Sequence, residues 1–244
     1  MFELTPEAIK TILENNQKLC VKRINMYFGP FDTRIFSKSK YKKLLKEGKL
    51  LEPSGFTGSF FEGYSKKSDQ KCFDGNDISA VISLSIPGAG YWVASLLNEK
   101  INLSYFSMLE YNTCISEVGE DFFDQPQMIE IYEKLRKING IGRVAASKLL
   151  ASKRPNLFPV FDKDVSSLFL HSDGISWQER GSYSDWCKNW RTVMADSDVK
   201  VLLSDISAET NKVCQPLRAL DVIFWLEAQE ADPEKKIEAL RTTL

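Results

Sequence analysis

The chain has 244 residues, 43% of them hydrophobic and 11% aromatic, enough for a substantial core built as one domain or two closely packed lobes. Its net charge of −1 and pI near 6.0 argue against a protein that coats nucleic acid non-specifically. Five widely spaced cysteines without a C-x-x-C pair, together with the lone His171, argue against a disulfide framework or a metal centre and fit reduced thiols in a cytoplasmic protein.

Thr5-Pro6-Glu7 predicts a helix start, with Thr5 as N-cap, Pro6 in the first turn and Ala8, Ile9, Ile12 and Leu13 as an apolar stripe. The N-terminus has no basic region followed by an apolar run, so no signal peptide is expected. Residues 24–36 contain Gly29-Pro30 and several aromatics and are expected to be irregular or extended. Tyr41–Leu45 reads as a short helix inside the lysine-rich run 38–49. Residues 52–76 carry Pro53 and four glycines, yet Phe56, Phe60, Phe61, Tyr64 and Phe73 are interleaved. Flexible tethers are poor in aromatics, so Gly55–Tyr64 is expected to be an ordered loop or hairpin that packs on something.

Asp77 is expected to open a helix through Ile86, broken at Pro87-Gly88-Ala89-Gly90 and resumed over Tyr91–Leu97. Leu103–Ser116 reads as a further helix. Asp124 as N-cap, with Pro126 in the first turn, predicts a helix to about Ile138 whose Met128, Ile131, Leu135 and Ile138 share one side. A turn at Gly140 and Gly142 leads into a helix over Arg143–Ser152, stopped by Pro155. Phe158–Phe161 is expected to be extended, Asp162–Leu170 helical and His171–Tyr183 a loop. Gln215-Pro216 opens a helix apolar nearly all round, through Leu217, Leu220, Val222, Ile223, Phe224, Trp225 and Leu226, which belongs at the centre of the fold. No apolar run approaches the roughly 20 residues that span a bilayer.

The chemistry concentrates in one stretch. Ile138-Asn139-Gly140-Ile141-Gly142 joins two helices, and a tight reversal uses glycine because positive φ costs little only there. The first N–H groups of the next helix are unpaired and its dipole favours an anion, so the turn is suited to gripping a phosphate. Between Lys134 and Phe161 lie seven cations and no acid. Asp162 follows Gly142 by twenty residues. By itself the turn is a packing hairpin, and Asp162 an ordinary N-cap.

This pattern resembles the helix-hairpin-helix DNA glycosylases of the endonuclease III-like superfamily, in a divergent bacterial branch. The family joins such a hairpin to a helix, a short extended segment and an essential aspartate, as in KINGIGRVAASKLLASKRPNLFPVFDKDV here. The resemblance is specific over Met128–Leu170. It implies a mainly α, two-lobed glycosylase-like fold with a helix-hairpin-helix motif, comprising an irregular aromatic, glycine-rich N-terminal segment (1–76) and a helical domain (77–244). It further implies a monomer that binds double-stranded DNA and hydrolyses the N-glycosidic bond of a damaged or modified base, with modified phage DNA as one conceivable target. Bifunctional members carry a lysine at the position of Val144, so no lyase activity is expected. The cluster-binding cysteines are missing too, so no cofactor is expected.

On this reading Asp162 is the catalytic carboxylate, with Asp164 as its rival. Asn139, Gly140, Ile141, Gly142, Arg143 and Lys148 contact DNA. Base flipping also needs aromatics and a reader, for which Phe60, Phe61, Glu62, Tyr91 and Trp92 are the candidates. Arg218 and Asp221 read as a structural i,i+3 ion pair. The alternatives are a non-catalytic DNA-binding module and a scaffold for an acidic protein.

Overall fold

A computed structural model of the chain describes residues 2–29, 57–84, 86, 90–99, 101–170, 177, 182–210 and 215–230. The lysine run at 38–49, the helix expected at Tyr41–Leu45, the break at Pro87–Ala89, His171 and Cys214 lie outside these residues. The described chain is mainly helical, with one parallel pairing of two-residue strands, β1 (Phe2–Glu3) and β2 (Phe169–Leu170).

Helix α1 (Pro6–Asn15) opens as expected, the Thr5 hydroxyl accepting from the Ala8 N–H. Helix α2 (Gln17–Tyr27) runs through 24–27, where irregular chain was expected. Cys20, Ile24 and Tyr27 recur there at helical spacing and are buried. Within the aromatic glycine-rich segment, the described residues 57–65 are helical rather than a loop or hairpin: a 3-10 turn at Thr57–Phe60 leads into α3 (Phe61–Ser65), with Phe61 and Ser65, four apart, both turned inward. Helix α4 (Gly75–Ser83) starts before Asp77. Asp74 is its N-cap and Asp77 closes the reciprocal bond to the Asp74 N–H.

Helix α5 (Gly90–Asn98) forms as expected. The helix expected over Leu103–Ser116 breaks into 3-10 turns at Ser104–Met108 and Ile115–Glu117. Its backbone donors are spent elsewhere, Ile115 N–H on the Asn156 carbonyl and Cys114 N–H on the Glu117 carboxylate. Helix α6 (Pro126–Lys137) has Gln125, not Asp124, at its N-cap position, with no side-chain capping bond, and the Asp124 carboxylate is engaged by Ser184 and Lys188. Helix α7 (Arg143–Lys153) is buried from Ala145 onward. Helix α8 (Lys163–Ser166) stops short of Leu170, since Phe169 and Leu170 pair with Phe2 and Glu3. Helices α9 (Tyr183–Ala195) and α10 (Ser197–Glu209) follow, and α11 (Pro216–Glu230) is central as its composition demands.

The packing forms two groups. Helices α3, α4 and α6 surround α7, while α1, α2, α9 and α10 associate with one another and, through α2 and α10, with α11. Helix α8 joins them by docking on α11. One hydrophobic cluster runs from Leu4 to Phe224, so residues on both sides of position 76 share a core. No helix among the described residues is long and apolar enough to cross a membrane.

Candidate functional site

The turn between α6 and α7 is anchored by two buried isoleucines, Ile138 and Ile141, and closed by a 2.9 Å bond from Ile141 N–H to the Ile138 carbonyl. Asn139, Gly140 and Gly142 remain exposed. The two glycines are not equivalent. Gly140 adopts φ 89°, which favours glycine, and a Cβ there would lie 2.7 Å from Cε2 of the exposed Tyr91 ring, which would have to move aside. Gly142 has ordinary extended geometry, and a Cβ on it would meet nothing within 4 Å. The fold leaves that side of the turn open.

The cationic stretch divides between surface and interior. Lys153 is fully buried on Asp77 at 2.5 Å, and Arg154 is buried on the carbonyls of Phe106 and Leu109. Lys148, expected to contact DNA, instead points inward: its ammonium donates to the Leu84 carbonyl at 3.0 Å and to Asp162 Oδ2 at 3.1 Å. Three of the seven cations thus fasten α7 to its neighbours. Lys134, Arg136 and Lys137 remain exposed, and half-buried Arg143 lays its guanidinium 4.3 Å over the Phe161 ring.

Asp162 is held from two sides. Its Oδ1 accepts from the Asp164 N–H at 2.9 Å, capping α8, and its Oδ2 accepts from Lys148. The preceding residue is pinned as well, Phe161 N–H donating to Ser147 Oγ at 2.9 Å. The Asp162 side chain nevertheless keeps 13% of its surface exposed, against 6% for Lys148. That surface opens into a pocket lined by Tyr27, Gly58, Ser83, Leu84, Val160 and, from α11, Arg218, Asp221, Val222 and Trp225. The pocket has about 40 Å³ of room, enough for a few waters.

Amid a largely apolar lining, one wall of the pocket carries a cluster of charged and polar side chains. Arg218 reaches Asp221 Oδ2, the Tyr27 hydroxyl at 2.6 Å, the Gly58 carbonyl at 3.3 Å and Glu62 Oε1 at 3.7 Å. Burial pushes the Asp221 carboxyl above its ordinary pKa. The Arg218 charge opposes that shift, and the nearby Asp162 charge adds to it. Burial likewise raises Glu62, against the pull of Arg218 and Lys66. Tyr27 is pushed up to about 12 by burial, its hydroxyl remaining protonated beside Arg218.

The chain belongs to the family of unknown function DUF6308. The family's model matches residues 21–228, a span that contains the turn, Asp162 and every pocket residue from Tyr27 to Trp225. No curated protein and no solved structure matches the chain.

The sequence-expected site residues scatter around this pocket. Phe61 is buried with Arg218 5.5 Å above its ring, and Glu62 lies behind the same guanidinium, so both support the wall from outside the lining. Phe60 is exposed and Trp92 is buried in the core, and neither lines the pocket. Tyr91, 60% exposed, lies against Gly140 at the turn. Asp164 serves through its backbone and is absent from the lining. Arg218 and Asp221 do form the expected ion pair, but they form it in the pocket wall. Their signal was a charged pair inside an otherwise apolar helix, a placement that buried polar groups rarely have without a function or a partner.

Proposed function

We propose that this protein is a monofunctional DNA glycosylase. One observation carries the reading: a carboxylate twenty residues after a glycine of the α6–α7 turn opens into a pocket that also holds Arg218 and Asp221 and is built by both groups of helices. The exposed backbone at Gly140 and Gly142 and the N-terminus of α7 bind a strand phosphate, assisted by Arg143. The target nucleotide leaves the stack, at a cost of a few kcal/mol, and its base enters beside Trp225. A base exceeds the present room, so its entry widens the pocket. Breaking the N-glycosidic bond develops positive charge on the deoxyribose, as in other sugar hydrolyses. Asp162, fixed by the α8 cap and by Lys148, stabilises that charge by about 3 kcal/mol or more in a site closed to bulk water. Val144, one turn before Lys148, has no amine for a Schiff base.

The test is release of free base from duplexes carrying uracil, hypoxanthine, 7-methylguanine or 5-hydroxymethylcytosine, read as alkali-labile sites. Asp162→Asn is expected to lose at least about 10²-fold in rate while binding DNA normally. Equal rates in the variant remove Asp162 from the chemistry. The second reading, a DNA-binding module without catalysis, draws on the same hydrogen bonds: both Asp162 oxygens already have structural partners. It predicts binding by the wild type with no base released.

A further inference from the structure

Two carboxylates line the pocket, and they differ in what their oxygens can still do. Asp162 has both oxygens engaged, Oδ1 by the Asp164 N–H and Oδ2 by Lys148. Asp221 has Oδ2 on Arg218, while its Oδ1 accepts no hydrogen bond among the described residues. Arg218 is itself fixed by Tyr27, Gly58 and Glu62, so the Asp221 carboxylate is oriented by a rigid guanidinium.

We infer that Asp221 is a second catalytic residue of this pocket, the general base that takes a proton from the attacking water. The inference rests on the glycosylase reading and divides the labour within it. Asp162 faces the charge developing on the sugar, and Asp221 activates water through its unengaged oxygen. The water oxygen bonds to C1′ as the C1′–N bond breaks. The bonding pair leaves with the base nitrogen, the water proton passes to Asp221, and Asp221 returns it to the departed base. Water supplies all the atoms and no oxidant is needed.

The charged and titratable groups facing Asp221 are Arg218 on its own helix, Asp162 before α8, Lys148 on α7 and the neutral Tyr27 hydroxyl on α2. Glu62 on α3 lies beyond Arg218. Burial and the Asp162 charge raise the Asp221 carboxyl, making it a stronger base than an ordinary aspartate.

The experiment compares wild type, Asp221→Asn and Asp221→Ala on the four duplexes above, across pH 4.5–9 (~0.5-unit steps), with thermal unfolding as a check on folding. Asn preserves an acceptor for Arg218. General-base action predicts a loss of about 10²–10⁴-fold in kcat with DNA affinity unchanged. It also predicts disappearance of the acidic limb of the wild-type pH profile, and partial rescue of Asp221→Ala by formate. If wild type releases a base and Asp221→Asn does so at the same rate with the same pH profile, the assignment of Asp221 fails and the glycosylase reading stands. Loss of activity with the acidic limb intact and no formate rescue also overturns it, since a purely structural role gives that result. If wild type releases no base, both readings fall together.

Discussion

Lys153→Met separates a surface cation from an internal fastener. The Lys153 ammonium donates to Asp77 Oδ2 at 2.5 Å, to the carbonyls of Asp69 and Cys72 at 2.6 Å each, and to Ser68 Oγ at 3.4 Å. Both members of the ion pair are fully buried. Methionine fills a similar volume without the charge. Asp77 is then left with Ser152 Oγ and the Asp74 N–H as its described partners, and keeps its desolvation penalty. Breaking a buried pair in this way costs about 3–5 kcal/mol, out of a total stability of roughly 5–15 kcal/mol. At about 2–4 °C per kcal/mol for a chain of this size, a 4 kcal/mol loss lowers Tm by roughly 8–16 °C. Urea and thermal unfolding followed by circular dichroism measure both figures. Lys153→Met/Asp77→Leu recovers part of the loss, because no unpaired charge remains. On the DNA-binding reading, affinity for DNA below Tm is unchanged, and so is its salt dependence. A stability loss under about 1 kcal/mol refutes the assignment of Lys153 as an internal fastener, and a salt slope of DNA binding reduced by about one would place it at a phosphate instead.

Gly140→Ala forces an alanine to φ 89° against Tyr91 and costs about 1–3 kcal/mol in urea unfolding. Gly142→Ala meets no atoms but puts alanine at the N-cap of α7, where it is poorer than glycine, so it costs no more than about 1 kcal/mol yet weakens DNA binding, if that face meets phosphate. Asp74→Ala removes the α4 cap at a cost of about 1 kcal/mol at pH 7. Burial raises the Asp74 carboxyl, but the N–H groups of Asp69, Asp77 and Asn76 outweigh it and hold the pKa below the ordinary value. The cap's contribution is therefore present above the unfolded pKa, and the difference from wild type vanishes as pH falls through the lowered folded value. Glu62 has the opposite sign. Its raised folded pKa makes its ionisation unfavourable to the fold, so Glu62→Gln raises Tm at pH 7 and has no effect once pH drops below the unfolded value.

Long-range polar pairing explains most of what the sequence left unread. Helix α1 follows from its capping residue, the course of α6 from apolar spacing with Pro126 in its first turn, the turn into α7 from Gly140, and the buried course of α11 from its composition, all of them local signals. The 103–116 segment has helical composition, but Asn156, distant in sequence, takes its Ile115 N–H. The α8 helix ends early because Phe169 and Leu170 find strand partners at the N-terminus. At the candidate site, the interval after Gly142 singled out Asp162, which the structure places in the pocket lining. The inward turn of Lys148, Lys153 and Arg154 was not, because a run of cations carries no record of which face each occupies once α7 is buried nearly all round. Asp221 escaped for a related reason: an i,i+3 ion pair looks the same on a solvated stripe as in a pocket wall.

On the glycosylase reading, helix α7 would link the proposed phosphate grip to the proposed chemistry mechanically. Its N-terminus lies at Gly142, and six residues on, about 9 Å along the axis, Lys148 holds Asp162. Its neighbour Ser147 holds Phe161. A phosphate seated on the turn is thus registered to the carboxylate through one buried helix and two side chains, with no loop between them. Lys148→Met breaks the second link only. It frees Asp162 Oδ2 and the Leu84 carbonyl, leaving the α8 cap and the turn intact. Misplacing a catalytic group by about 1 Å can cost 10²-fold, so if Asp162 acts as proposed, base release falls by about that factor while DNA affinity stays the same. Ser147→Ala tests the first link and gives a smaller loss, since Asp162 keeps both of its own partners. Equal losses in binding and in base release for Lys148→Met would mean that this lysine meets DNA after all, and that the helix does not transmit position from the turn to the pocket.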